Sequence, residues 1–391
     1  MKAFLTATGA AMGLAAALAA PASANTQTGI FNGMAYEARN MIVGMTPTAS
    51  NPQPGTGGGD PLFFPSSNKS GVAALIMDYG AQGRFICTGS LLSDRVTVLT
   101  AAHCVNPRAG ITPTTTAYFF TNNPNERTPF SVNARAVVAQ QQSINAGYTG
   151  QVIDHNDIAM LRLSQGVYNV IDADGTKRAI DAYNLYAGND LTGLGFNVAG
   201  YGGRSTIGGA FGSNAQTGWL REGDNTYDYR MGDPLFSAIP GNGWQTVFPS
   251  NPNIAHSWLS DFDNGRAAND MACRIAQASN LAGAAGVVFC NTGVGAREVG
   301  VAGGDSGGPQ FIGGAISSVT SYGLSFGTAW GDCRAGLNSS CGEFSGYVPT
   351  YLHRDYIAAF QAVPEPATWA MMIIGFGMVG SALRRRAAVA A

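Results

Sequence analysis

Gly303-Gly304-Asp305-Ser306-Gly307-Gly308-Pro309 sets one hydroxyl between pairs of small residues. Glycines on both sides allow a tight turn on which backbone N–H groups can approach a substrate carbonyl with no side chain in the way. A serine held like this becomes a nucleophile only when a base reaches it. The base candidate lies far upstream, at the end of Val96-Thr97-Val98-Leu99-Thr100-Ala101-Ala102-His103-Cys104. That stretch reads as a buried β-branched strand running into small residues before the imidazole. A carboxylate able to orient the imidazole follows in Asn156-Asp157-Ile158-Ala159-Met160-Leu161-Arg162-Leu163, again at the margin of an apolar run. The order along the chain is His103, Asp157, Ser306.

Thr100-Ala101-Ala102-His103-Cys104, Asp157-Ile158-Ala159-Met160-Leu161 and Gly304-Asp305-Ser306-Gly307-Gly308-Pro309 together resemble the signatures of the chymotrypsin-like (trypsin-fold) serine peptidases. The resemblance implies an all-β fold of two six-stranded antiparallel barrels with a short C-terminal helix. It also implies a division of labour: Ser306 as nucleophile, His103 as general base, Asp157 as the group holding the imidazole tautomer, and the N–H groups of Gly304 and Ser306 as oxyanion hole. No cofactor is needed for such chemistry. Asp154 competes with Asp157 for the orienting role, and the family motif favours Asp157. His155 lacks a strand context and reads as surface-exposed. The histidines are His103, His155, His256 and His353, with no His-Glu-x-x-His, so no catalytic metal is expected.

Composition agrees with this class. The chain has 391 residues, 53 glycines, six cysteines and 12% charged residues, against about 25% in typical soluble domains. A net charge of -2 offers no basic footprint for nucleic acid. Abundant glycine with short β-like runs points to a loop-rich all-β protein.

Residues 1–24 begin with Lys2, pass through an apolar Ala/Leu/Gly segment and end in Ala22-Ser23-Ala24, the pattern of a signal peptide for a signal peptidase. Export permits disulfides. At the other terminus, Val363-Pro364-Glu365-Pro366 precedes an apolar run from Ala367 to Leu383 and then Arg384-Arg385-Arg386. That run is near the lower limit for a spanning helix, with a positive flank that would stay cytoplasmic. It resembles the PEP-CTERM sorting signal, in the variant with Trp369-Ala370-Met371-Met372. The resemblance implies an exosortase-type processing enzyme, transient or permanent membrane anchoring, and display at or release from the surface of a Gram-negative bacterium. A simple C-terminal anchor is the other reading.

The expected organisation is a signal peptide over 1–24, a propeptide over 25–41, a peptidase domain over 42–362 and a sorting segment over 363–391. The first barrel would span about 42–190 and the second about 191–362, with an insertion over 203–265. Asn40-Met41-Ile42-Val43-Gly44 resembles the family's activation site, although Met41 stands where Arg or Lys is usual. There the freed Ile42 amine would pair with Asp305. The insertion carries Trp219, Tyr227, Tyr229, Trp244 and Trp258, and could shape the cleft or pack on the barrel. Asp261-Phe262-Asp263-Asn264-Gly265 reads either as the start of a calcium loop or as a plain turn.

From the resemblance, Cys87 pairs with Cys104, Cys273 with Cys290, and Cys333 with Cys341. It also places the pocket for the residue before the cut bond at Gly300 and Val301, with Ser321-Tyr322-Gly323 as the edge on which a peptide adds as a strand. Gly300 supplies no acid to meet a buried Lys or Arg, so small or medium apolar side chains are expected; Glu298 and Glu343 are the acids near enough in sequence to alter that. The expected substrate is protein or peptide. The competing reading is a non-catalytic surface or matrix protein on the same scaffold, although all three triad residues are retained.

Overall fold

The computed structural model describes residues 27–31, 34–39, 61–120, 134–172, 174–205, 208–215, 217–237, 244, 248, 252–279, 288–362, 373–376 and 378. The signal peptide, Ile42 and most of the C-terminal apolar run lie outside them. No helix among the described residues is long and apolar enough to cross a membrane.

An N-terminal hairpin comes first, β1 (Gln27–Phe31) and β2 (Met34–Arg39). Six strands then close into a barrel: β3 (Val72–Asp78), β4 (Arg84–Leu91), β5 (Thr97–Thr100), β6 (Thr114–Phe119), β7 (Arg135–Ile144) and β8 (Ala159–Leu163). Their order around the barrel is β3-β4-β5-β8-β7-β6. On β6 the period of two puts Thr115, Ala117 and Phe119 inside. By contrast β3 is buried from Val72 to Met77, because its outer face meets the second half of the molecule. There the Tyr201 hydroxyl donates to the Val72 carbonyl at 3.1 Å.

A small ribbon follows, β9 (Asn169–Ile171) with β10 (Lys177–Ala179). The second sheet contains β11 (Gly195–Gly200), β12 (Arg221–Thr226), β13 (Tyr229–Arg230), β14 (Trp258–Asp261), β15 (Pro309–Ile312), β16 (Ala315–Ser325) and β17 (Phe344–Pro349). It runs β12-β11-β15-β16-β17-β14-β13, and β2 joins it on β16, bringing in β1 to make nine strands. The expected second barrel is a half-barrel sheet among the described residues, where the described part of the stretch from β14 to β15 forms loops and one helix.

The region expected to be an insertion supplies β12, β13 and β14, so part of 203–265 belongs to the second sheet. Its aromatic side chains are core: Trp244, Trp258, Tyr227 and Tyr229 are each at most 1% exposed. Trp219 is the exception, half-buried with the Arg204 guanidinium 5.8 Å from its ring. Packing is therefore what most of these aromatic rings do.

Helices among the described residues include α1 (Ala102–Val105), α2 (Pro234–Ser237), α3 (Met271–Ala278) and α4 (Arg354–Gln361). The N-cap of α3 is Asp270, whose side chain accepts from Cys273 N at 2.8 Å. Although α4 follows the second sheet, it packs on the first barrel. Ile357 and Phe360 are buried in that core, the Tyr356 hydroxyl donates to Ser143 O at 2.6 Å, and Arg162 donates to Phe360 O at 2.5 Å. The helix straps the two halves together.

All three disulfides are formed, Cys87–Cys104, Cys273–Cys290 and Cys333–Cys341.

Candidate active site

The buried strand β5 ends at Thr100 and passes through Ala101 into α1, which carries His103. Ala101 and Ala102 are completely buried, and their small size matters because the Ser306 turn lies against them. A Cβ on Gly307 would stand 2.8 Å from Ala101 N and 2.1 Å from Thr100 Oγ1. Gly307 also has φ of 83°, which favours glycine. Both constraints explain the glycine after the serine.

Asp157 has no exposed surface and receives three hydrogen bonds. His103 N donates to Oδ1 at 2.8 Å, His103 Nδ1 meets Oδ2 at 2.7 Å, and Ser321 Oγ donates to Oδ2 at 2.6 Å. With Nδ1 protonated toward this carboxylate, Nε2 is the ring nitrogen left to accept a proton. Asp154 is committed elsewhere: it accepts from Thr149 N and Oγ1 at 2.7 Å each and from Asn156 N at 2.9 Å. Of the two acids, Asp157 is the one hydrogen-bonded to His103.

Ser321 reaches Asp157 through an irregularity in β16. The register with β17 pairs Thr320 with Tyr347 and Tyr322 with Gly346, which leaves Ser321 as the extra residue of a bulge. A bulge re-aims one side chain out of the alternating pattern. The sequence reading placed Ser321 only at the substrate edge; the bulge could not be seen from local sequence.

The Ser306 turn is cradled by β4. Thr88 N donates to Ser306 O at 2.9 Å, Thr88 Oγ1 donates to Gly304 O at 2.9 Å, and Tyr201 N donates to Thr88 Oγ1 at 3.0 Å. From the other side Gly307 N donates to Thr320 O at 2.8 Å. Cys104 Sγ lies 3.8 Å from His103 Nε2 and 3.5 Å from Ser306 O, so the Cys87–Cys104 bridge stands where the histidine and serine elements meet. Thr88, which follows Cys87 directly, was not singled out in the sequence. Gly304 has φ of 111°, and among the described residues the N–H groups of Gly304 and Ser306 have no protein acceptor.

Asp305 is buried, and burial pushes its carboxyl well above the usual range, while Gly202 N and the Arg221 charge pull it down. Gly202 N donates to Oδ1 at 2.5 Å. A Cβ on Gly200 or Gly202 would come within 1.8 or 2.2 Å of this carboxylate, so the two glycines flanking Tyr201 are required by close approach. Asp305 and Gly300 line one depression open to solvent, together with Phe63, Val198, Val299, Arg221 and Glu222. Val301 is absent from that lining: it is buried in the cluster with Trp258 and Tyr347, and Val299 takes the place next to Gly300. A Cβ on Gly300 would stand 3.2 Å from Phe262 Cβ.

Three expectations change here. His155 is half-buried rather than surface-exposed, its ring 5.1 Å from that of His256 and its carbonyl accepting from His353 Nε2 at 2.7 Å. Glu343 is used structurally, accepting from Asn338 N and Ser339 N at 2.9 and 2.8 Å. Glu298 is buried against Asp263, whose N donates to it at 3.1 Å.

Of the calcium-loop residues, Asp261 Oδ2 accepts from Ala272 N and Asp263 Oδ1 from Gly265 N, both at 2.8 Å, which accounts for them as turn and helix-start acids. Among the described residues, the only groups of three ligands close enough for one ion are Cys87, His103, Cys104 and Asp270, Cys273, Cys290. Their cysteines are in disulfides and present no thiolate.

Residues 67–211 match the family model of trypsin, and residues 362–386 match the PEP-CTERM protein-sorting motif. The stretch that forms the first barrel is thus similar to trypsin. A solved structure of HL collagenase is similar over 77% of this chain and 98% of its own, at 17% identity and a TM-score of 0.46. No curated protein matches. The trypsin match spans β3 to β12's approach, and so takes in His103 and Asp157, whereas Ser306 lies beyond it.

Proposed function

We propose that this protein is an exported serine endopeptidase. The observation that carries the reading is the buried Asp157, which meets both N and Nδ1 of His103, with Cys104 Sγ 3.8 Å from Nε2 and 3.5 Å from Ser306 O. Ser306 Oγ attacks the peptide carbonyl as His103 Nε2 takes its proton, and Asp157 stabilises the imidazolium that results. The N–H groups of Gly304 and Ser306 stabilise the oxyanion, at about 3 kcal/mol for a donor of this kind. The imidazolium then protonates the leaving amine, and water hydrolyses the acyl-enzyme by the same route.

The closeness of Phe262 to Gly300 supports a pocket for small or medium apolar side chains. Pairing of the freed Ile42 amine with Asp305 would bring a cation to a buried carboxylate whose charged form burial disfavours. The sorting motif supports delivery to the cell envelope of a Gram-negative bacterium and removal or anchoring of the tail by an exosortase-type enzyme.

A fluorophosphonate probe tests the nucleophile. The full chain is expected to label, and Ser306→Ala to abolish labelling; a folded chain that never labels sinks the proposal. Cleavage of a peptide library tests the pocket, where a dominant Arg or Lys preference would overturn the apolar assignment.

A further inference from the structure

One edge of β16 is shared between two partners. β15 pairs along it up to Pro309 opposite Val319, and then the chain leaves for the Ser306 turn. Beyond that point β2 takes the same edge in antiparallel register, with Ser325 opposite Glu37, Leu324 opposite Ala38 and Gly323 opposite Arg39. The direction is important. As β2 runs from Glu37 to Arg39 it moves down β16 from Ser325 toward Ser321, whose hydroxyl is on Asp157. Two strand residues cover roughly 7 Å, so the last paired position of β2 stands about that far along the strand from the level of Asp157.

A peptide adding to this edge with its carbonyl directed to Ser306 would need the same polarity and the same backbone groups. From this we infer that β2 is a built-in occupant of the peptide-binding edge, so that the N-terminal hairpin and a substrate exclude each other. The inference rests on the peptidase reading for the meaning of the edge.

The hairpin is held as a packed element. Ala38 has no exposed surface, and the Tyr36 ring lies 5.0 Å from that of Phe248 and 6.2 Å from that of Phe326. β1 backs β2 over five residue pairs, from Gln27 opposite Ala38 to Phe31 opposite Met34. In the sequence only Asn40 and Met41 separate the end of β2 from Ile42, where the family resemblance puts the activating cut. Addition of water across the Met41–Ile42 peptide bond, giving a carboxylate on Met41 and a free amine on Ile42, would leave β2 attached by pairing and packing alone. The propeptide would then be a dissociable inhibitor.

The test uses the full chain with Ala38→Glu, which forces a carboxylate into the apolar contact and should release β2. Tyr36→Ala serves where that variant fails to fold. Hydrogen exchange is expected to show protection lost at residues 34–39 and 323–325 while the rest stays protected. The released chain is expected to bind a fluorescein-labelled peptide copying residues 34–39, which the wild type does not bind, and to hydrolyse a long peptide at least ten times faster. Release of β2 with neither change would overturn the inference. Gained peptide binding without fluorophosphonate labelling of Ser306 in either chain would instead overturn the peptidase reading and leave the occupancy standing.

Discussion

The first barrel and the second sheet bury their polar groups by different means. In the barrel the buried acids are answered by donors: Asp157 has three, and Asp154 has three more from Thr149 and Asn156. In the second sheet Asp228, Asp261, Asp263, Asp270 and Glu298 gather around β14, and burial raises each carboxyl above its usual range. Asp263 Oδ2 and Glu298 Oε2 are buried with no hydrogen-bond partner. Donors pull a buried carboxyl down while desolvation pushes it up, and at Asp154 burial prevails despite its three donors. The proposed catalytic pair of His103 and Asp157 comes from the first half, and the second half contributes Ser306 and the Ser321 hydroxyl.

That contrast can be broken at its strongest point first. Asp157→Asn keeps the shape but permits the wrong imidazole tautomer, and kcat on a peptide substrate is expected to fall by about 10⁴-fold. A fall of less than tenfold would mean Asp157 does not orient His103. Next comes the single bond that the second sheet sends across. Ser321→Ala removes one hydrogen bond to a carboxylate, worth about 1.5–3 kcal/mol, so kcat should drop by roughly 10- to 100-fold with little change in KM. Equal loss in both parameters would point to the substrate edge instead.

The disulfides sharpen the comparison through stability. Cys87–Cys104 closes a sequence separation of 17 and Cys333–Cys341 one of 8. On the chain-entropy model their replacement by serine pairs costs about 3 and about 2.5 kcal/mol respectively. Denaturant titration would compare them, and only the first replacement should also slow fluorophosphonate labelling, because only that bridge lies between His103 and Ser306.

The smallest effect is a divergence with pH. The raised carboxyls around β14 bind protons more tightly folded than unfolded, so their contribution is present below the ordinary carboxylate range near pH 4 and declines as pH rises through their folded values. The histidines where α4 meets the loop before β8 act oppositely. Burial pushes His155 down to about 4, with His256 and His353 adding to the shift, so its contribution is present above about pH 6.5 and is lost as pH falls toward 4. Hydrogen exchange across that interval should show protection near His155 weakening on acidification while β14 amides are maintained. Parallel loss in both places would contradict the division.

The sequence by itself determined the local machinery. His103 follows a buried strand and two alanines, and Ser306 sits among glycines that local backbone geometry demands at Gly307. The cysteine pairs expected from the family resemblance are the ones formed. Such features are legible because strand periodicity, small-residue turns and short spacings act over a few residues. The tertiary structure alone decided the rest. It gave Asp157 its third donor from a bulge 164 positions away, set Thr88 under Gly304 across 216 positions, and made the apparent insertion into sheet strands. It also put β2 on an edge of β16 that leads to Ser321. No periodicity in either strand encodes that meeting, because an exposed strand edge offers the same backbone donors and acceptors to any partner and only the packed fold selects which segment takes it.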